Sequence, residues 1–248
     1  MKDLAIAAIL TGLILTGGAS LAAPPPGEGW VPLFDGKDLS AWKVPEGDGG
    51  HWKVVGGVID YDAQSEAKGD KSLWTQKPFG DFTLHIEWRL KKTTGLYPMP
   101  TILPDGSYKK DAEGKVIKVP RPNADSGIML RGFGKAQVNI WCWPIGSGEV
   151  WGYRNDRKMP PEVRAGAVPK VAADHPVGQW NTFEFTMKGD RLTIVLNGKT
   201  VIDNTQLPGV PKEGPIGLQH HGGKNKKTGQ FSPASSLIQF RNIYIKRL

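Results

Sequence analysis

Cysteine is all but missing from this sequence. Among 248 residues Cys142 stands alone, so neither an intramolecular disulfide nor a cysteine-based zinc site can form. The core must be held by apolar burial. Acidic residues are the minority, 24 against 32 Lys and Arg, which leaves a formal net charge of +8. A basic surface suits nucleic acid or acidic glycans. The lysines are scattered, however, with short runs only at Lys91-Lys92, Lys109-Lys110 and within 224–227. Solvated loop charge is the simpler reading, and nucleic acid is not expected as a partner.

Long apolar runs are missing as well. Leu4 to Leu15 is too short, and too soon interrupted by glycine, to span a bilayer, so no membrane span is expected. Lys2 precedes this run and Ser20-Leu21-Ala22 follows it. A charged n-region, an apolar h-region and a small-x-small site predict a signal peptide over 1–22, cut after Ala22. The protein is then exported, to the periplasm or the extracellular space. Residues 23–29 form a Pro-rich lead-in without structure of its own. A single domain over 30–248 follows.

No window carries a helical period, and no repeat of 20–50 residues is visible. Short strands with turn signals take their place. His51 to Val55 and Val58 to Tyr61 flank Gly56-Gly57 as a hairpin. Phe82 to Leu90 alternates over nine residues. Ser126 to Arg131 and Gln137 to Trp143 flank a loop at Gly132-Phe133-Gly134. Thr182 to Met187, Leu192 to Leu196 and Thr200 to Asp203 form a meander whose second turn is Asn197-Gly198. Gly217 to His221 and Leu237 to Ile245 complete the set. This pattern predicts an all-β sandwich or barrel. Two stretches depart from it, 91–123 and 152–178, and are read as loop insertions, either functional or tolerated on the surface.

Alternation assigns faces. Phe82, Leu84, Ile86, Trp88 and Leu90 point to the core, and Glu87 and Arg89 point away. Arg131 lies off the core beyond Ile128 and Leu130. Gln137, Asn139, Trp141 and Trp143 lie off the core, while Val138, Ile140 and Cys142 face it, so Cys142 is expected buried and inert. Carboxylate, guanidinium, amide and indole groups on one groove suit sugars. Indoles pack on pyranose C–H faces, and planar amides and guanidinium forks bond vicinal hydroxyls. Gln219, His220 and His221 follow a late strand. Adjacent histidines on a strand face opposite ways and cannot simply chelate one metal, which leaves His221 as a base, a sugar ligand or a metal ligand. Glu149 and Tyr153 follow a Gly-rich turn as rim candidates.

Other chemistries lack their signatures. Gly146-Ser147-Gly148 is too short for a nucleophile elbow. There is no HExxH, no phosphate-binding glycine loop and no Rossmann fingerprint. The E-x-D-x-x-E strand of retaining glucanases is missing, so a two-carboxylate glycosidase is not expected.

LFDGKDLSAW, HWKVVGGVID, SLWTQKPFGDFTLHIEWRL, DSGIMLRG, QWNTFEFTMKGDRLTIVLNGKTVID, GPIGLQHHG and FRNIYIKRL occur in this order. Together they resemble the 3-keto-disaccharide hydrolase family, long called domain of unknown function 1080 and also described as 3-keto-glycoside lyase/hydratase domains. The resemblance covers nearly the whole mature chain. It implies a concanavalin A-like jelly roll and a bacterial, exported, carbohydrate-active enzyme. Asp125 stands where the family usually has Asn. The implied reaction is cleavage of a 3-keto-glycoside by elimination or hydrolysis. A ketone at C3 acidifies the C2 proton, a base removes it, and the C1 substituent leaves. The expected base is His221 or Glu87. Arg131, Arg89 or a bound divalent cation would hold the enolate, and Gln137, Asn139, Gln219 and Trp141 the sugar. The oxidation that makes the keto sugar falls to another enzyme. The alternative readings are a non-catalytic, lectin-like carbohydrate-binding domain, or a surface protein binding acidic glycan through its lysines.

Overall fold

The computed structural model describes residues 24–248, so the expected signal peptide lies outside the described residues. Fifteen strands and two helical turns follow one another. They are β1 (Val31–Phe34), β2 (Trp42–Lys43), β3 (Lys53–Val55), β4 (Val58–Tyr61), β5 (Leu73–Thr75) and β6 (Phe82–Leu90). Then come β7 (Leu96–Pro100), β8 (Lys118–Pro122), β9 (Asp125–Leu130), β10 (Phe133–Trp141), α1 (Trp151–Asn155) and α2 (Pro161–Gly166). The last are β11 (Asn181–Lys188), β12 (Arg191–Leu196), β13 (Lys199–Gln206), β14 (Gly217–Leu218) and β15 (Ile238–Arg247).

Two antiparallel sheets face each other, as in a concanavalin A-like jelly roll. The larger has the order β13-β12-β11-β6-β15-β4-β3, with β1 also paired to β15. The smaller runs β10-β9-β14-β5-β2. One apolar core lies between them. Phe82, Leu84, Ile86 and Trp88 of β6 and Phe183, Phe185 and Met187 of β11 meet Ile128 and Leu130 of β9 and Val138 and Ile140 of β10. All are almost fully buried, and side chains of this size contribute roughly 1.5–3 kcal/mol each when buried. Among the described residues no helix is long and apolar enough to cross a membrane.

The hairpin and the meander turn through Gly56-Gly57 and Asn197-Gly198, each pair at positive φ as a type I′ turn requires. The turn between β9 and β10 differs from expectation. It is made by Arg131 and Gly132, at φ of 51° and 65°, with a bulge between Phe133 and Gln137. Arg131 therefore leaves the strand's alternation and folds inward. β10 ends at Trp141, and Cys142 beyond it is half-buried against the core rather than within it.

The segment 91–123 is not irregular. β7 and β8 pair as a two-stranded ribbon, extended by bridges between Ile102 and Tyr108 and between Lys110 and Val116. The segment 152–178 carries the end of α1 and all of α2. Proline at N1 and Glu162 in the first turn favour α2, signals too local to register as an amphipathic period.

Candidate active site

The outer face of the smaller sheet forms the floor of a cavity of about 650 Å3. The register places Trp141 opposite Asp125, Asn139 opposite Gly127 and Gln137 opposite Met129. Gln219 joins this floor by donating its backbone N–H to the Gly127 carbonyl at 2.9 Å. His221 lines the cavity two residues further on. Gly127 keeps the floor open. A Cβ there would meet the Val138 carbonyl at 2.9 Å and both Gln137 Cγ and Gln219 Oε1 at 3.0 Å.

The walls come from the two stretches that broke the sequence pattern. The ribbon supplies Tyr97 and Lys118, its extension supplies Tyr108, and α1 supplies Trp151 and Asn155. Both long segments therefore form part of the cavity's wall rather than only decorating the surface.

Ser236 ties the two acid–base groups of the cavity to each other through their backbones. Its Oγ donates to the Asp125 carbonyl at 2.7 Å and accepts the His221 N–H at 2.8 Å. Burial pushes the Asp125 carboxyl well above the usual carboxylate range, and the nearby Glu149 charge pushes it further. Asp125 lines the cavity on the same outer face as Asn139 and Gln137. His221 Nδ1 lies 2.7 Å from the Ala234 carbonyl. A carbonyl only accepts, so Nδ1 carries a proton, and in the neutral ring the lone pair lies on Nε2. His220 turns the other way: its Nδ1 shares a hydrogen bond with the Tyr61 hydroxyl at 2.5 Å. Burial, helped by Lys71 and His221, lowers His220 to about 4.

A polar relay runs from the cavity into the protein. Gln137 Nε2 donates to Asn139 Oδ1 at 2.6 Å, and Asn139 Nδ2 donates to Glu149 Oε2 at 2.7 Å. The other Glu149 oxygen accepts from Arg154 Nε. Both members of that ion pair are buried. Burial raises Glu149 to about 7 against the opposing pull of Arg154 and Asn139. Tyr108 covers the Arg154 guanidinium at 4.8 Å.

Of the residues expected to form the site, Gln137, Asn139, Trp141, Gln219 and His221 come together here. Glu149 sits beneath them, fully buried, and not on a rim. Trp141 is largely covered by Ile102 and Val168, and its indole donates to the Gly146 carbonyl at 2.7 Å. Trp143, stacked on it at 4.0 Å, is the more open ring.

The remaining four residues lie elsewhere. Glu87 and Arg89 do lie off the core, but β6 belongs to the larger sheet, so they occupy the opposite outer face of the sandwich. Glu87 accepts from Arg241 Nε and Asn242 Nδ2 at 2.7 and 2.8 Å. Arg89 donates to Gln239 at 2.7 Å and, with Arg241, packs on Trp180. Buried Arg131 donates to the carbonyls of Gly80, Gly189 and Pro211 and to Asp81, a clamp between loops. Tyr153 is fully buried and donates its hydroxyl to the Pro208 carbonyl at 3.0 Å.

Asp125, Tyr97, Tyr108, Lys118 and Trp151 were not among the expected site residues, and Trp143 was expected on the groove face without a named role. Parity alone pointed to Asp125, two residues before Gly127 and four before Met129 on the same face.

The sequence matches the 3-keto-α-glucoside-1,2-lyase-like domain over residues 29–246. The chain belongs to this family. The family gives the protein a carbohydrate-related function, in keeping with an amide- and aromatic-lined cavity. Two crystal structures from Parabacteroides distasonis, each of a protein provisionally named a glycosyl hydrolase, share the fold. One is 22% identical with a TM-score of 0.56, covering 93% of this chain and 95% of its own. The other is 18% identical with a TM-score of 0.54, covering 89% and 94%. No protein of curated function matches the chain in sequence.

Proposed function

We propose that the protein is an exported enzyme that cleaves 3-keto-glycosides in the cavity on the smaller sheet. The reading is carried by two groups lining one cavity: a carboxyl that holds its proton above the usual range and an imidazole with a free Nε2. His221 Nε2 removes the C2 proton, made acidic by the C3 ketone. Electrons move through the enolate and the C1–O bond breaks. Asp125 gives its proton to the departing oxygen, leaving an enone and an alcohol. Addition of water to the enone at C1 completes a net hydrolysis. Groups whose environments set them apart as acid and base are the usual sign of such a division of labour.

Gln137, Asn139 and Gln219 bond the sugar hydroxyls, and the Trp143 and Tyr97 rings pack on its C–H face. Lys118, on the ribbon wall, is the cation for the enolate oxygen, in place of Arg89 and Arg131. Among the described residues no three of His, Cys, Asp and Glu converge as a metal cluster. A divalent cation would draw on Asp125 and His221 Nε2, and would then take the place of their acid and base roles. That mixed oxygen and nitrogen set suits such an ion, which would stabilise the enolate charge.

The test is a spectroscopic assay for the enone on a panel of 3-keto-glucosides. Turnover by the wild type, lost in His221→Ala, is expected. Saturable glycoside binding without turnover identifies a non-catalytic carbohydrate-binding domain instead. Export is checked separately: the protein recovered outside the cytoplasm is expected to begin at Ala23, and a start at Met1 ends that part of the proposal.

A further inference from the structure

β14 ends at Leu218, and the segment 219–223 that carries His221 is held by the hydroxyls of buried serines. Ser126 Oγ donates to the Gln219 carbonyl at 2.8 Å, Ser236 Oγ accepts the His221 N–H at 2.8 Å, and Ser235 Oγ accepts the Gly223 N–H at 3.0 Å. All three serines are fully buried. Two of them belong to the turn 232–236, which also sets the Ala234 carbonyl 2.7 Å from His221 Nδ1.

Ala234 is fully buried and has φ of 65°. Glycine adopts that left-handed backbone freely, whereas a residue with a Cβ keeps it only where its surroundings over-determine it. Here the surroundings form a clasp. Thr94 Oγ1 accepts the Ser235 N–H at 2.8 Å and donates to the Ser232 carbonyl at 3.1 Å, so it bonds the chain on both sides of Ala234. Ser235 Oγ donates to the same Ser232 carbonyl at 2.8 Å and closes the turn on itself. Thr94 comes from a distant part of the sequence, just before β7. Its N–H donates to the Asn123 carbonyl at 2.9 Å, and the Asn123 N–H donates to the Gly95 carbonyl at 3.2 Å. The clasp therefore sits at the root of the ribbon that walls the cavity.

We propose that Thr94 is a positioning residue for His221. By clasping the turn 232–236 it keeps the Ala234 carbonyl against Nδ1, and so holds the neutral imidazole in the tautomer with its lone pair on Nε2. The partner that orients the ring is a backbone carbonyl, which has no rotamer of its own. It moves only if the turn relaxes, and the turn carries a strained φ that favours relaxation once the clasp is gone. Displacing a reacting group by about 1 Å can cost roughly 10²-fold in rate. The inference rests on the proposed role of His221 as base and adds the source of its orientation.

The experiment is heteronuclear NMR of the histidine side chains in the substrate-free protein with the rings neutral, joined to steady-state kinetics on a 3-keto-glucoside. His221→Ala identifies the His221 signals. The wild type is expected to show a protonated Nδ1 and a bare Nε2. Thr94 is half-buried, so Thr94→Val keeps the shape of the side chain and removes both bonds of its hydroxyl. That variant is expected to draw the two nitrogen shifts of His221 towards each other, as the ring samples both tautomers. Its kcat should fall by up to roughly 10²-fold, with KM nearly unchanged. Thr94→Ser retains the hydroxyl and should restore both the shifts and kcat. A Thr94→Val protein that melts earlier yet keeps wild-type shifts and kcat makes Thr94 merely structural and overturns the proposal. Equal loss in Thr94→Ser, or a wild-type ring already in the other tautomer, overturns it too. The shifts are read without substrate, so they decide the positioning of the ring by themselves. A wild type that turns over no keto-glycoside would end the catalytic reading alone.

Discussion

The side-chain amide of Asn139 donates to the Glu149 carboxylate at 2.7 Å. This bond fixes a floor residue of the cavity to a buried charge that never meets solvent. Glu149→Gln can keep the bond while removing the charge. The Arg154 guanidinium is then buried without a counter-ion, and breaking such a pair costs about 3–5 kcal/mol. Urea denaturation is expected to show this loss. The same change removes a negative charge near Asp125, eases its ionisation, and so moves the alkaline limb of the turnover profile to lower pH. An unmoved limb would separate Asp125 from the acid step.

His221→Ala and Asp125→Asn should differ in a specific way. Without His221 the C2 proton has no base, and turnover is expected to fall by roughly 10²–10⁴ for every substrate. Without the Asp125 proton only the departure of C1 suffers. Asp125→Asn is therefore expected to slow 3-keto-glucosides with alkyl leaving groups strongly and those with nitrophenolate leaving groups little. Equal slowing across leaving groups would rule out Asp125 as the acid.

Glu87→Gln and Arg131→Ala test the separation of the two outer faces. Glu87 pairs with half-exposed Arg241, and exposed pairs of this kind contribute about 0–1 kcal/mol. Both stability and turnover should stay near wild type. Arg131→Ala removes the charged donor shared by three carbonyls and Asp81, and hydrogen bonds to charged groups contribute about 1.5–3 kcal/mol each. A large drop in melting temperature is expected, with activity per folded molecule retained.

Gly127→Ala places a methyl against Gln219 Oε1 and Gln137 Cγ. Overpacking of this kind costs about 1–3 kcal/mol, and the two amides must shift off the sugar. KM for the keto-glycoside is expected to rise more than kcat falls. Unchanged KM would show that these amides do not hold substrate.

His220 gives a pH dependence whose direction is fixed. Folded His220 titrates at about 4 and an unperturbed histidine at 6.5. Between those values the unfolded chain binds the extra proton, so stability from this residue is full above pH 6.5 and is lost as pH falls towards 4. Glu149, held at about 7, acts in the opposite sense, favouring the folded state less as pH rises from 4.5 to 7. Denaturation midpoints of wild type and His220→Gln at pH 4.5 and 7 isolate the histidine. The variant is expected to lose less on acidification.

The sequence was legible wherever information was local. Alternation over Phe82–Leu90 set the burial of every residue in β6, and Asn197-Gly198 marked the turn between β12 and β13. Alternation also separated core from outer face for Glu87 and Asn139 alike. It could not say that their strands belong to different sheets, because that depends on β6 pairing with β11 and β15 rather than with β9. A two-sheet fold has two outer faces, and the parity of a strand is blind to which one it borders. Arg131 was misplaced for a different reason. It was counted as a strand residue, whereas the chain turns there through positive φ.

The cavity's floor and walls are built from different parts of the chain. The floor shares its strands with the core, so Asn139 cannot change without regard to Val138 and Ile140 beside it. The β7–β8 ribbon stands largely apart from that core, and every residue of β8 is exposed. Substitutions in the ribbon can therefore reshape the cavity's wall while the core between the sheets stays untouched. The shape of the cavity and the stability of the fold thereby rest on different residues.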